Sequence, residues 1–289
     1  MSLLELLKLA VQEKADELLL ASGQVPAVRT AQGLRLLEQA RLSEKDLSAH
    51  LREAQGWQMP TLDADTDGWQ GLLGVPGVGR CSLTWQRQGG QQLACWKILQ
   101  TRLEQPLERW NLPSVIAEIG QLSHGFVLMS GPRRSGLSTT LACLLEHLRH
   151  RGRVVTSLES PIEFLLGHGP SLVCQREWPS DFQDWHQAVQ QAIEVSDTLL
   201  LPLGDARLAR LAVEAAESGL LVVAHLPATH GLNSLDRLTT LLEQPIWIRR
   251  LVEVLRGCYS QRLVPGKEGL LPVSEFMPAE VCRQALWTQ

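Results

Sequence analysis

No stretch of this chain is apolar for long enough to cross a bilayer. Its longest apolar runs, such as Leu199–Leu201 and Leu220–Ala224, fall far short of the roughly 20 residues that a membrane-spanning helix needs. Met1–Ala10 has no basic stretch ahead of an apolar core, so it does not read as a secretion leader. Positive charge is not in excess: 27 Lys and Arg stand against 31 Asp and Glu, for a formal net charge of −4. With no aromatic-basic cluster beside it, that balance argues against a nucleic-acid partner. The six cysteines, at 81, 95, 143, 174, 258 and 282, form no C-x-x-C, which argues against structural zinc. Several lie among apolar residues, where Cys acts as a small hydrophobe, and in a reducing compartment they are free thiols. The eight histidines show no metal-ligand spacing; His147 and His150 read as a solvated surface pair. Internal repeats and low-complexity segments are absent. The nine tryptophans are scattered through apolar patterns and read as core or interface residues. A cytoplasmic globular protein of about two domains is expected from 289 residues that are 44% hydrophobic.

The first hundred residues read as a small α+β domain. Leu3, Leu4, Leu7 and Val11 recur at helical spacing, so residues 2–14 are expected to form an amphipathic helix. Strand-like runs follow at Glu17–Ala21 and Val25–Thr30. Ser43 is placed to cap a helix reaching about Ala54, and three further strands are expected at Thr66–Leu73, Gly79–Trp85 and Leu93–Leu99. Residues 101–113, polar and carrying Pro106 and Pro113, read as a linker. From 114 to 289 the pattern alternates. Strands are expected at Phe126–Ser130, Val154–Leu158, Thr198–Leu201 and Leu220–Leu226. Helices are expected at Ser138–His150, Phe182–Ile193 and Leu208–Ser218. Leu241–Ser260 reads as mostly helical and Leu270–Phe276 as a late strand. Strand–helix alternation predicts a parallel sheet with right-handed crossovers.

The sharpest local signal is Gly131-Pro132-Arg133-Arg134-Ser135-Gly136-Leu137-Ser138-Thr139. It follows a strand and opens a helix, as the phosphate-binding pattern G-x-x-x-x-G-K-[ST] requires. Both glycines and the serine are present, but Leu137 stands where the lysine belongs. Backbone N–H groups at a helix N-terminus still offer a cradle for an anion, and the Ser138 hydroxyl is the candidate Mg²⁺ ligand. The missing ammonium would have neutralised charge on the outer phosphates. Losing one such charge-assisted contact costs about 1.5–3 kcal/mol in binding, and the transition state is affected at least as strongly. Arg133 and Arg134 stand nearby. Either they restore positive charge from another direction, or they lie over the loop and meet a neighbouring subunit or water.

Taken together, these stretches resemble the PilT-like family, the hexameric retraction ATPases of type IV pili and twitching motility within the type II/IV secretion ATPase superfamily. The likeness runs through LLELLKLAVQEKADELLLASG, VPGVGRCSLTWQRQGG, HGFVLMSGPRRSGLSTTLACLLEHL, SLESPIEF and ARLAVEAAESG, nearly the whole chain. It implies an α/β fold: a RecA-like P-loop domain with a twisted, mostly parallel sheet, preceded by a smaller PAS-like α+β domain. It also implies ATP or ADP with Mg²⁺ at Gly131, Arg133, Arg134, Ser135, Gly136, Ser138 and Thr139. Partners implied are other copies of the chain in a hexamer, an active motor paralogue, and a pilus or secretion platform at the inner membrane face.

Carried over residue by residue, the catalytic set is mixed. Glu163 falls at the family's catalytic-base position and Glu159 also matches, but Ser160 replaces the aspartate of that box. Asp197 matches the Asp ahead of the second acidic strand, yet Pro202 and Leu203 replace its glycine and its Mg²⁺-associated glutamate. Asp205 is the candidate to substitute by proximity. Leu220 and Pro227 replace both histidines of a further box, and His225 lies two residues from the second. Arginines that reach phosphate in the family appear here as Gln88, beside Arg87, and as Lys97. An intact apolar framework beside lost catalytic groups implies retained folding with weakened or absent hydrolysis. The expected role is a binding or regulatory subunit, with a weakly active ATPase driving retraction as the alternative.

Overall fold

The computed structural model describes residues 1–61, 66–89, 91–99, 103, 112–266 and 269–287. They form two compact units, Met1–Thr101 and Arg102–Gln289. Of the linker expected at 101–113, only Leu103, Leu112 and Pro113 are among the described residues.

The first unit opens with α1 (Leu3–Gln12), capped reciprocally by Ser2 and Glu5, an arrangement that satisfies two otherwise orphaned backbone donors. Its buried stripe is Leu3, Leu6, Leu7 and Ala10, whereas Val11 is exposed. At 100° per residue Val11 lies about 80° around from Leu3, at the margin of the stripe rather than its centre. The strands are β1 (Glu17–Ala21), β2 (Ala27–Thr30), β3 (Gly33–Leu36), β4 (Gly68–Val75), β5 (Gly79–Gln88) and β6 (Gln91–Ile98), with α2 (Glu44–Gln55) between β3 and β4. Ser43 caps α2, with Asp46 completing the box. The sheet is antiparallel throughout, in the order β3-β2-β1-β6-β5-β4. In β1 the alternation places Leu18 and Leu20 inward, where they join Leu7, Leu47, Leu83, Trp85 and Trp96 in one core. Edge strand β3 has no buried residue, and its alternating Leu34 and Leu36 remain exposed.

The second unit contains α3 (Val115–Gln121), β7 (Gly125–Gly131), α4 (Leu137–Leu148), β8 (Val154–Glu159), β9 (Leu172–Glu177), α5 (Trp185–Val195), β10 (Thr198–Pro202), α6 (Ala206–Glu217), β11 (Leu221–Pro227), α7 (Gly231–Leu242), α8 (Pro245–Val254), β12 (Leu255–Gly266), β13 (Gly269–Pro278) and α9 (Ala279–Trp287). Its seven strands run β13-β12-β7-β11-β10-β8-β9. All pairings are parallel except that of edge strand β13 with β12. Every residue of β7 is buried, as expected of a central strand covered on both faces. One face packs Leu199, Leu201, Val222 and Ala224 with residues of α6 and α7. The other packs Val127, Met129, Leu200, Leu221 and Val223 with residues of α3 and α4.

The largest departure from sequence expectation lies in Leu241–Ser260. Helix α8 ends at Val254 and the chain continues as strand β12. The apolar residues Leu251, Val252, Leu255 and Cys258, all buried, recur at helical spacing across the boundary, so periodicity alone carries the helix too far. Strand pairing with β7 and β13 decides for the strand.

Candidate functional site

Strand β7 feeds directly into the loop Gly131–Gly136, and α4 begins at Leu137. Both glycines have a steric reason. A Cβ on Gly131 would lie 2.3 Å from the Ser135 hydroxyl and 2.7 Å from the Gln261 carbonyl oxygen. Gly136, the N-cap of α4, has φ of 77°, a left-handed conformation that side chains resist. The first turn of α4 then presents its unpaired N–H groups at the carboxyl end of the sheet, the edge at which open α/β sheets bind ligands.

Leu137 is the first residue of α4. Its side chain is half-buried and packs on the apolar layer containing Val127, Leu144 and Tyr259. An aliphatic residue at this position therefore packs against the core, and α4 carries no lysine or arginine in its place. Ser138 is exposed, and its hydroxyl donates to Glu163 Oε1 at 3.2 Å. Thr139 is half-buried beside it. Arg133 and Arg134 are exposed, with Arg134 at φ 66°, and neither lines the adjoining cavity.

That cavity, about 130 Å³, is walled by Ser138, Ser157, Glu159, Ser160, Glu163 and His225, over an apolar floor that includes Leu141, Leu145 and Leu200. Glu159 ends β8, and its Oε1 accepts from the Ser157 hydroxyl at 2.8 Å and from the Gln175 amide at 3.0 Å. Burial raises its pKa above the ordinary value; the two hydrogen bonds oppose the rise, and the charges of Glu163 and Glu177 add to it. The 160–163 segment is held from behind, where the Ile162 N–H donates to Glu177 Oε1 at 2.7 Å. Ser160, in place of a carboxylate, adds no charge here.

His225 reaches this cavity through strand register. Within β11 the residues Leu221 and Val223 face the α4 layer, and period-two alternation puts His225 on the same side, level with Pro202 and Met129. Burial drives its pKa down to about 4, so the imidazole is neutral at neutral pH. Other candidates lie elsewhere. Leu203 is 6% exposed and belongs to the opposite core layer. Asp197 accepts from the Val154 N–H at 2.8 Å, tying β10 to β8. Asp205 is engaged as the N-cap of α6, accepting from the Leu208 N–H at 2.7 Å, so it does not stand in for the lost glutamate. Arg87 and Lys97 belong to the first unit, where the Arg87 guanidinium lies over the Trp85 ring at 5.4 Å. His147 is only partly solvated, within 2.6 Å of an Arg151 nitrogen.

Among the described residues no group of three or more His, Cys, Asp or Glu side chains is placed to hold a metal ion. The hydroxyl and carboxylate of Ser138 and Glu163 are nevertheless hard oxygen donors side by side. They suit a Mg²⁺ whose other ligands are phosphate oxygens and water.

Sequence reading missed Gln261. It lies on β12, 4% exposed, and contacts the loop directly: its Nε2 donates to the Ser135 carbonyl at 2.8 Å. It lies one residue beyond the Leu241–Ser260 stretch read as mostly helical, and no local pattern marks a lone glutamine between Ser260 and Arg262.

Comparison with known proteins matches residues 111–275 to the family described as type II/IV secretion system protein. The type IV pilus retraction ATPase PilT of Pseudomonas aeruginosa is 27% identical over 275 residues, covering 91% of this chain and 78% of that protein. A crystal structure of the pilus retraction motor PilT with bound ADP superimposes with a TM-score of 0.81 at 25% identity, over 98% of this chain and 86% of that one. The ATPase DotB of Legionella pneumophila gives 0.80 at 22% identity, over 98% and 82% of the two chains, and so shares the fold. Among the described residues no helix is long and apolar enough to cross a membrane. With its glycine-bounded strand–loop–helix turn, its mostly parallel sheet and this match over more than half its length, the chain belongs to the type II/IV secretion system protein family and is PilT-like.

Proposed function

We propose that this chain is a catalytically weakened motor-family subunit. It binds nucleotide at the 131–139 loop and acts as a binding or regulatory partner in a type IV pilus or type II secretion machine. Its RecA-like domain, residues 114–289, carries the site, and residues 1–100 form a PAS-like companion. The observation behind this reading is Leu137: the side chain at the position that should bring a cation to the outer phosphates is aliphatic, half-buried, and packs against a core layer. Leu203, buried on the far side of the sheet, removes a carboxylate as well. The loop itself, its left-handed glycine and the Ser138–Glu163 pair are retained, which supports binding more than turnover.

In this reading the N–H groups of Gly136, Leu137, Ser138 and Thr139 surround phosphate, with Ser135 and Gly131 shaping the turn. Arg133 and Arg134 supply the remaining positive charge at the rim. Ser138 orients a Mg²⁺ that screens phosphate charge when bound. Glu163, with Glu159 behind it, accepts a proton from water. The protein works in the cytoplasm, peripheral to the inner membrane, in a ring of its own copies or with an active paralogue. Purified protein should turn over MgATP well below ~1 s⁻¹, against the 1–10³ s⁻¹ of ordinary enzymes. Brisk turnover by the unmodified chain would overturn the proposal.

A second reading, a weakly active ATPase driving retraction, is favoured by one contact, the 3.2 Å approach of Ser138 to Glu163. It requires slow but measurable hydrolysis that disappears with Glu163→Gln.

A further inference from the structure

A phosphate loop without its lysine still needs something to hold its shape, and four buried residues meet behind it. Gln261 Oε1 accepts from the Tyr259 hydroxyl at 2.6 Å and from the Thr140 hydroxyl at 2.9 Å. Its Nε2 donates to the Ser135 carbonyl at 2.8 Å. Exposure is 4% for Gln261, 0% for Tyr259, 1% for Thr140 and 3% for Ser135. One amide thus joins the residue before left-handed Gly136 to the first turn of α4 and to strand β12. The β12 backbone adds to this, since the Gln261 carbonyl leaves no room for a Cβ on Gly131. Leu263, the next residue on the same face of β12, brings its methyl groups within 3.5 Å of where a Cβ on Gly136 would be. A buried network in which each member has a partner is rigid, and removing its hub takes one hydrogen-bond partner at once from the Tyr259 hydroxyl, the Ser135 carbonyl and the Thr140 hydroxyl, leaving Thr140 its 3.3 Å contact with the Gly136 carbonyl.

We infer that Gln261 is the positioning residue of the phosphate loop: through Ser135 and Thr140 it holds residues 135–138 in the anion-ready turn without any ligand. Tyr259 supports it from the core. The inference rests on the reading that this loop still accepts nucleotide phosphates, and its test separates the two.

The ligand-free full chain is compared with Gln261→Met and Tyr259→Phe by site-resolved hydrogen exchange. Two loop amides serve as probes: Ser135 N–H, bonded to the Pro132 carbonyl at 3.1 Å, and Thr140 N–H, bonded to the Gly136 carbonyl at 3.0 Å. Gln261→Met should speed exchange at both by at least tenfold while amides of β7 and α6 keep their protection. Tyr259→Phe, which keeps the ring and removes one bond, should give a smaller rise at the same two sites. No rise, or a rise spread evenly over the unit, would make Gln261 an ordinary core residue and overturn the inference. Should Gln261→Met fail to fold, the Tyr259→Phe pattern decides alone. A second arm uses ADP. Tyr259 is the single tyrosine of the chain, so 3-fluorotyrosine labels this network only. ADP should shift the fluorine resonance, and Gln261→Met should weaken ADP binding about tenfold. Equal affinity in the variant overturns the inference. No binding of millimolar ADP by the native chain instead retires the nucleotide reading, while the exchange arm still decides the role of Gln261.

Discussion

The Ser138 hydroxyl points at Glu163 Oε1 from 3.2 Å across the mouth of a small cavity. The two residues are 25 positions apart, one in the first turn of α4 and the other in the segment after β8. Their approach joins the Gly131–Gly136 loop to the segment after β8. In the proposed function this hydroxyl and carboxylate are the retained groups, and the lysine and the second carboxylate are the lost ones.

Restoring that charge is the most direct test. Leu137→Lys should tighten nucleotide binding by 10-fold or more, the counterpart of about 1.5–3 kcal/mol for a charge-assisted phosphate contact. It should also destabilise the unit by about 1–2 kcal/mol, because Leu137 packs on the core layer. A fluorescent-nucleotide titration and thermal unfolding measure the two effects. Unchanged affinity would show that the loop does not bring a lysine to phosphate.

Glu163→Gln should abolish whatever turnover the native chain possesses, by a factor of about 10²–10⁴ if the carboxylate acts as general base. Nucleotide affinity should change little, since the amide still accepts from Ser138. Single-turnover assays with radiolabelled ATP give the rate. Turnover equal to that of the native chain would remove Glu163 from the chemistry.

His225 makes stability sensitive to acid. Its folded pKa is lowered to about 4 from 6.5, so the unfolded chain takes up a proton first as pH falls. The stability contributed by keeping the ring neutral is complete above pH 6.5 and is lost as pH drops toward 4, by on the order of 2 kcal/mol. His225→Leu should flatten the melting-temperature profile across that window. An unchanged profile would place the acid sensitivity elsewhere.

Asp205→Ala should cost about 0.5–2 kcal/mol through loss of the α6 cap, because the Leu208 N–H loses its acceptor. Nucleotide binding should be untouched, since Asp205 does not line the cavity. A fall in affinity without a fall in melting temperature would return Asp205 to the site.

The chain's local grammar carried much of the fold. Ser43 capping α2, the buried alternation of Leu18 and Leu20, and the unbroken apolar run ending at Gly131 all depend on spacings of a few residues. Periodicity and propensity act at that range. Edge strand β3 escaped because it is only four residues long and its leucines, Leu34 and Leu36, are left exposed. The start of strand β12 escaped because Leu251, Val252, Leu255 and Cys258 continue the helical spacing of α8 past its end.

By itself, the sequence determined that a strand, a glycine-bounded loop and a helix follow one another there and that no lysine stands at position 137. Those are properties of contiguous residues. Only the tertiary structure decided where Leu137 goes, that Leu203 and His225 lie on opposite faces of the sheet, and that Gln261 braces a loop 126 positions earlier in the chain. Each depends on strand register and on which faces meet. A one-residue slip of register would send His225 to the other layer, and no local pattern specifies such pairings across a hundred residues.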